Sequence, residues 1–250
     1  MKLFIVEVLK MTTIQEKLFN KIKELSPQIE REEKKESGTT TLGKKEYILF
    51  NGNKINFYNF KAHLDTIQKR NYLNRFCLYE ISKDCENRQL LNREEKQSLV
   101  EEDASYHPSL IVQCEYFMFS IKSIFDTILK MITYLVPEKE HKGFGQIETW
   151  GEDALMKELI GEHLDWVIKF NNLRNRLTHD TIAELSMNFN HNCKSDILTY
   201  SKRNLSIRKK DEQLREIFQL PDYFDECFLK TNEIINKFYN FLIMQKIEGK

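Results

Sequence analysis

Between Pro108 and Pro137, Leu110, Cys114, Phe117, Ile121, Ile124, Ile128, Met131 and Leu135 recur at alternating steps of four and three residues. That spacing is the period of an α-helix with one apolar face turned to a core. His107-Pro108 marks a chain reversal before the helix and Pro137 ends it. The span 110–136 is the most apolar in the chain, yet Glu115, Lys122, Asp126 and Lys130 recur through it. Those charges are costly at bilayer depth, so the stripe predicts a soluble amphipathic helix in a mainly α fold, with no membrane partner.

The flanking sequence is read the same way. Thr12 or Thr13 can cap a helix over about 14–25, with Ile14, Leu18, Ile22 and Leu25 as its apolar positions and Pro27 as its stop. The polar run from Glu30 to Gly43 reads as a mobile loop. Tyr47 to Phe50 and Ile55 to Phe60 flank Asn51-Gly52-Asn53-Lys54, which predicts a small β-hairpin near 47–60, the only strand signal of weight. From Phe60 to Glu102 the pattern is helical, with Leu64, Ile67, Tyr72, Phe76, Leu78 and Ile81 as apolar positions. Gly143 to Gly151 reads as a loop. A helix then runs from about Glu152 through the stretch Arg174 to His179, with a kink at Gly161, and Asn188 to Cys193 breaks the pattern. Phe224, Phe228, Ile235, Phe238 and Leu242 mark a last amphipathic helix.

A chain of 250 residues can bury a full core, and 41% hydrophobic with 30% charged residues is ordinary for a globular protein. Lys plus Arg and Asp plus Glu each number 38, so there is no global field to coat nucleic acid and any RNA contact must be local. Cys77, Cys85, Cys114, Cys193 and Cys227 form an odd set without C-x-x-C spacing, which predicts reduced thiols and a cytoplasmic location. His191 and Cys193 lack a second pair of ligands, so no metal and no cofactor are expected. Glu7 interrupts the apolar run of Met1 to Lys10 and no small-residue cleavage site follows, which argues against a secretory signal.

The stretch that looks like chemistry is Arg174-Asn175-Arg176-Leu177-Thr178-His179. A guanidinium stays charged and grips two phosphate oxygens at once. An imidazole, with an ordinary pKa of about 6.5, takes or gives a proton near neutrality. Trp166, Phe170, Leu173 and Leu177 form an apolar helical stripe, while Asn172, Asn175 and His179 lie on the opposite face and Arg174 on its flank.

In these residues the chain resembles the HEPN superfamily, whose members carry an Arg, four to six residues and a His, often with a polar residue directly after the Arg. The resemblance covers roughly residues 105–187. It implies an antiparallel helical bundle over 105–248, preceded by an N-terminal extension, 1–104, that holds the hairpin. It also implies a homodimer paired through the motif helix, with Arg174, Asn175 and His179 as catalytic residues. The implied activity is metal-independent RNA cleavage in a toxin or phage-defence role, with an antitoxin or defence-system protein as a further partner. The other outcome the resemblance allows is a catalytically silent HEPN module that binds a protein or nucleic acid.

Supporting candidates follow from charge. Glu115 and Asp126, with Lys122, share a polar stripe on the long helix that either orients Arg174 or is solvated surface. Asn172 shares the motif face. Arg176, Lys202, Arg203, Arg208, Lys209 and Lys210 can meet phosphates, although without interleaved aromatics the basic cluster also reads as a solvated connector. Arg176 and Asp180 can instead lock the motif into a structural ion network. His63, His107, His141, His163 and His191 have no Arg four to six residues before them and read as surface or turn residues, and Trp150 and Trp166 as packing residues.

Overall fold

Asn51 and Gly52 have φ angles of 48° and 86°, the left-handed pair that a two-residue type I′ hairpin requires and that Asn-Gly adopts readily. The turn joins strand β2 (Thr39–Phe50) to β3 (Asn53–Asn56), with Phe50 opposite Asn53 and Ile48 opposite Ile55. The computed structural model describes residues 14–25, 27–36, 39–94, 108–136, 147, 153–175, 183–188, 194–200 and 214–248. Within them the chain is mainly helical, with small antiparallel sheets.

The chain divides into two units, one of Met1–Lys69, Ile124–Gln146 and Asn232–Lys250, the other of Arg70–Ser123 and Ile147–Thr231. The sequence reading divides it once, at 104/105, a point that lies outside the described residues.

In the first unit the expected hairpin forms, but its second strand stops at Asn56. Asn56 Oδ1 accepts the Asn59 backbone N–H at 2.9 Å, which caps helix α2 (Phe57–Glu94), so Phe57 to Phe60 are helical and not extended. The run Glu30 to Gly43 corrects the sequence reading further. Its described residues, 30–36 and 39–43, are strand, in which β1 (Gln28–Glu36) pairs antiparallel with β2 from Gln28 opposite Tyr47 to Glu36 opposite Thr39. This run has no apolar alternation to announce a strand, but the backbone register runs unbroken along it, with Glu30 opposite Lys45.

Helix α1 spans 14–23 and buries Leu18 and Ile22. Its Lys21 ammonium donates to the carbonyls of Ile243 at 2.7 Å and Gln245 at 2.9 Å. These are the unsatisfied carbonyls at the end of helix α6 (Asp222–Met244), where a cation also meets the negative end of the helix dipole. Directly after α6 the backbone N–H of Asn51 donates to Lys246 O at 2.9 Å, and Lys246 N–H donates to Asn51 Oδ1 at 3.1 Å. Asn51 Nδ2 donates to Gln245 Oε1 at 2.8 Å. The chain then forms a short strand, β7 (Ile247–Glu248), which pairs with β2 at Phe50 and Leu49.

The second unit contains 70–94 of α2, 108–123 of helix α3 (Pro108–Leu135), helices α4 (Ala154–Ile160) and α5 (Leu164–Asn175), and the first turns of α6. It also holds a three-stranded antiparallel sheet in the order β4 (Ala183–Asn188), β5 (Lys194–Tyr200), β6 (Leu214–Leu220). Leu185, Ile197 and Phe218 share one register position. The N-terminal hairpin is therefore not the only strand signal. Ala183, Leu185 and Met187 alternate with Glu184, Ser186 and Asn188, a period of two that a helical reading carried forward to Asn188 conceals.

All eight stripe positions of α3 are buried, as are Phe224, Phe228, Ile235, Phe238 and Leu242 of α6. In α2, Leu64, Ile67, Leu78 and Ile81 are buried, but Tyr72 and Phe76 are exposed. Cys77, Cys85, Cys114 and Cys227 are buried and hold no disulfide. Burial pushes the Cys77 thiol up to about 11 and the Cys227 thiol up to about 12. Among the described residues no helix is long and apolar enough to cross a membrane.

Candidate functional site

Asp153 starts the motif arm. Its carboxylate accepts the backbone N–H groups of Leu155 at 2.8 Å and Met156 at 3.1 Å, an N-cap that fixes where α4 begins. The expected kink at Gly161 is a single 3₁₀ turn, Gly161–His163, between α4 and α5. There His163 is buried, with Nε2 3.5 Å from Glu162 Oε1, so of the two readings, surface or turn, it is a turn residue and not a surface one. His63 is likewise half-buried within α2, its ring stacked on Tyr134 at 5.8 Å.

Helix α5 turns Trp166, Val167, Phe170 and Leu173 inward, with the Trp166 and Phe170 rings 5.7 Å apart. Asn172 is exposed, whereas Arg174 and Asn175 are half-buried in the last turn. The wheel places Arg174 and Asn175 about 100° apart, yet the long Arg174 side chain curls back and Nη1 donates to Asn175 Oδ1 at 2.6 Å. That bond fixes the Asn175 amide, because its oxygen accepts from the guanidinium. Arg174 and Asn175 together therefore bring guanidinium and amide N–H groups into one helical turn, the donor types that suit an anion such as a phosphodiester.

His179 and Arg176 lie outside the described residues, as do Lys202, Arg203, Arg208, Lys209 and Lys210 and the neighbouring Leu177 and Asp180. His107, His141, His191, Cys193 and Trp150 lie outside them too. Glu115 and Asp126 are half-buried on α3, Glu115 in the unit that contains Arg174 and Asp126 in the other. Among the described residues no ion pair joins Glu115 to Arg174. No group of three or more His, Cys, Asp or Glu is placed to hold a metal ion among the described residues.

A feature the sequence reading missed lies at the other end of α5. Glu162, Asp165, Trp166 and Lys169 face Asp222, Tyr223, Glu226 and Lys230 of α6 across an open groove of about 570 Å³. Lys230 sits 5.7 Å from the Trp166 ring centroid and 2.5 Å from Glu226 Oε1. Four carboxylates against two ammonium groups make this groove a poor seat for a phosphate backbone. Both walls follow helical spacing, but their charges read as ordinary solvated faces until the helices are set side by side. The charge order along α5 is acidic at its first turn, Asp165, and basic at its last, Arg174, which suits the helix dipole at both ends.

Comparison with protein-family models, curated proteins and solved structures finds no match for this chain.

Proposed function

We propose that the chain is a metal-independent endoribonuclease of HEPN type, acting in the cytoplasm in a toxin or anti-phage defence role. The observation that supports this reading is the 2.6 Å bond from Arg174 to Asn175, which holds a guanidinium and an amide together in the last turn of the motif helix. In the proposed reaction the ribose 2′-oxygen attacks phosphorus and the bond to the 5′-oxygen breaks, leaving a 2′,3′-cyclic phosphate and a 5′-hydroxyl. His179 takes the 2′-OH proton, and the second imidazole of a homodimer gives one to the 5′-oxygen. Arg174 binds the phosphate and balances the charge that develops there, while Asn175 donates to the same group. Glu115, Asp126 and Asn172 would support the site, and Arg176 with the basic cluster from Lys202 to Lys210 would steer RNA to it. DNA, which lacks the 2′-OH, is spared.

The silent-module reading has an observation of its own. Arg174 in the last turn of α5 stabilises the helix end and orders its neighbour, a structural use of the cation that needs no substrate. In that case the motif helix serves to bind a protein or nucleic-acid partner, such as an antitoxin.

Generic RNA incubated with the purified chain and a chelator, beside a His179→Ala control, decides between the two. Cleavage that survives chelation and falls about 10²- to 10⁴-fold in the control supports the nuclease. Intact RNA, or cleavage equal in both samples, refutes it.

A further inference from the structure

The outer face of α2 and α3 in the second unit carries apolar residues in an ordered array. Tyr72, Phe76 and Tyr79 on α2, and Val112, Tyr116 and Phe119 on α3, are each between 37% and 72% exposed. Both sets follow the steps that place residues on one helix face. The two helices run antiparallel: Ser109 Oγ donates to Asp84 at 3.3 Å, Cys77 Sγ to Gln113 O at 3.2 Å, and Ser120 Oγ to Arg70 O at 3.5 Å. This register sets Tyr79 abreast of Val112, Phe76 of Tyr116 and Tyr72 of Phe119. Arg70 lies over the Phe119 ring at 5.5 Å and closes one end of the patch.

We propose that this face is a self-association surface, occupied by the same face of a second copy of the chain. Its size fits. With roughly 200 Å² of surface on each large side chain, the observed exposures leave on the order of 650 Å² of apolar area on each copy, against about 800 Å² per partner in a standard interface. Aromatic residues at the centre of a patch are also the usual anchors of such contacts.

The charges select the occupant. Along 70–86, Arg70, Arg75 and Lys83 balance Glu80, Asp84 and Glu86, and along 108–123 Lys122 balances Glu115. A neutral face does not select a polyanion such as RNA. The charges are also polarised, with Arg70 and Arg75 at one end of the α2 stripe and Glu80, Asp84 and Glu86, offset only by Lys83, toward the other. A two-fold pairing that runs α2 antiparallel to its copy brings each basic end against an acidic end, the self-complementarity an isologous interface requires. The surface lies off α5, so it goes beyond the proposed nuclease site and does not depend on it.

Sedimentation equilibrium of the full chain tests the proposal. The native protein is expected to be a dimer of the 30.0 kDa chain through this face, or a tetramer where the motif helix pairs as well, and Phe76→Ser with Tyr116→Ser is expected to weaken association through this face by at least about 30-fold, the scale of lost hot-spot aromatics, leaving at most the motif-helix pair. These side chains are exposed, so the variant should keep its helical circular dichroism. A charge exchange gives a second readout. Arg75→Glu and Glu80→Arg each weaken self-association, and an equal mixture of the two pairs more tightly than either alone. A native chain that stays monomeric up to roughly 100 µM, or a dimer unaffected by the double substitution, overturns the proposal. Recovery of the patch in complex with RNA or another protein while the chain stays monomeric overturns it too. Loss of RNA cleavage with the dimer intact counts against the nuclease alone.

Discussion

Replacing Asn51 separates two contributions that meet at one residue. Its φ of 48° is left-handed, which costs a residue other than Gly, Asn or Asp roughly 1–2 kcal/mol. Its side chain also donates to Gln245 and accepts from Lys246, and each such exposed bond contributes about 0.5–1 kcal/mol net. Asn51→Ala loses both and is expected to destabilise the protein by about 2–4 kcal/mol. Asn51→Gly loses the bonds and gains chain entropy in the unfolded state, but carries no strain, so its expected cost is about 1–2 kcal/mol. Equilibrium urea unfolding followed by circular dichroism, with the slope unchanged, measures both. The ordering of the variants carries the argument. If Asn51→Ala falls within about 0.5 kcal/mol of the native protein, or Asn51→Gly is as damaging as Asn51→Ala, the turn is not the clamp described above.

Two further predictions concern the packing and the titration of the units. Phe117 is fully buried with its ring 4.8 Å from that of Phe224, so Phe117→Ala should cost about 3–5 kcal/mol in urea unfolding; a loss below about 1 kcal/mol contradicts the packing. His63 has its pKa lowered, first by burial and then by the Lys130 charge. The unfolded chain therefore takes up a proton more readily, and the stability associated with neutral His63 is present above about pH 6.5 and lost as pH falls through the lower folded value. His63→Gln should flatten the melting temperature between pH 7 and 5, and an unchanged slope would exclude this role.

Helices were legible where apolar residues keep one period over many turns. The stripe from Leu110 to Leu135 and the run from Phe224 to Leu242 gave both the existence and the buried face of α3 and α6, because burial leaves a periodic record in composition. Asn51-Gly52 was legible for a different reason, since few residue pairs tolerate two positive φ angles. The strands from Gln28 to Thr41 were not, because ladder hydrogen bonds come from the backbone and a charged strand need not alternate. Tyr72 and Phe76 misled the reading in the opposite sense. Their spacing is helical, and period alone does not say whether an apolar face meets the core or solvent. For the motif, the wheel gave the faces of Asn172 and Leu173 but not the curl of Arg174 onto Asn175, which depends on side-chain length and not on angular position.

The bonds from Lys21 to the end of α6 span 222 and 224 residues, and those between Asn51 and Gln245 or Lys246 span 194 and 195. Contacts so distant along the chain form late, since loop closure must precede any gain from them. At a synthesis rate of about 5–20 residues per second, β2 exists for about 10 to 40 s before its partner β7 has been made. Throughout that interval the edge at Leu49 and Phe50 offers unpaired backbone groups to any neighbouring chain, and only the translation of Ile247 and Glu248 ends that exposure to mispairing.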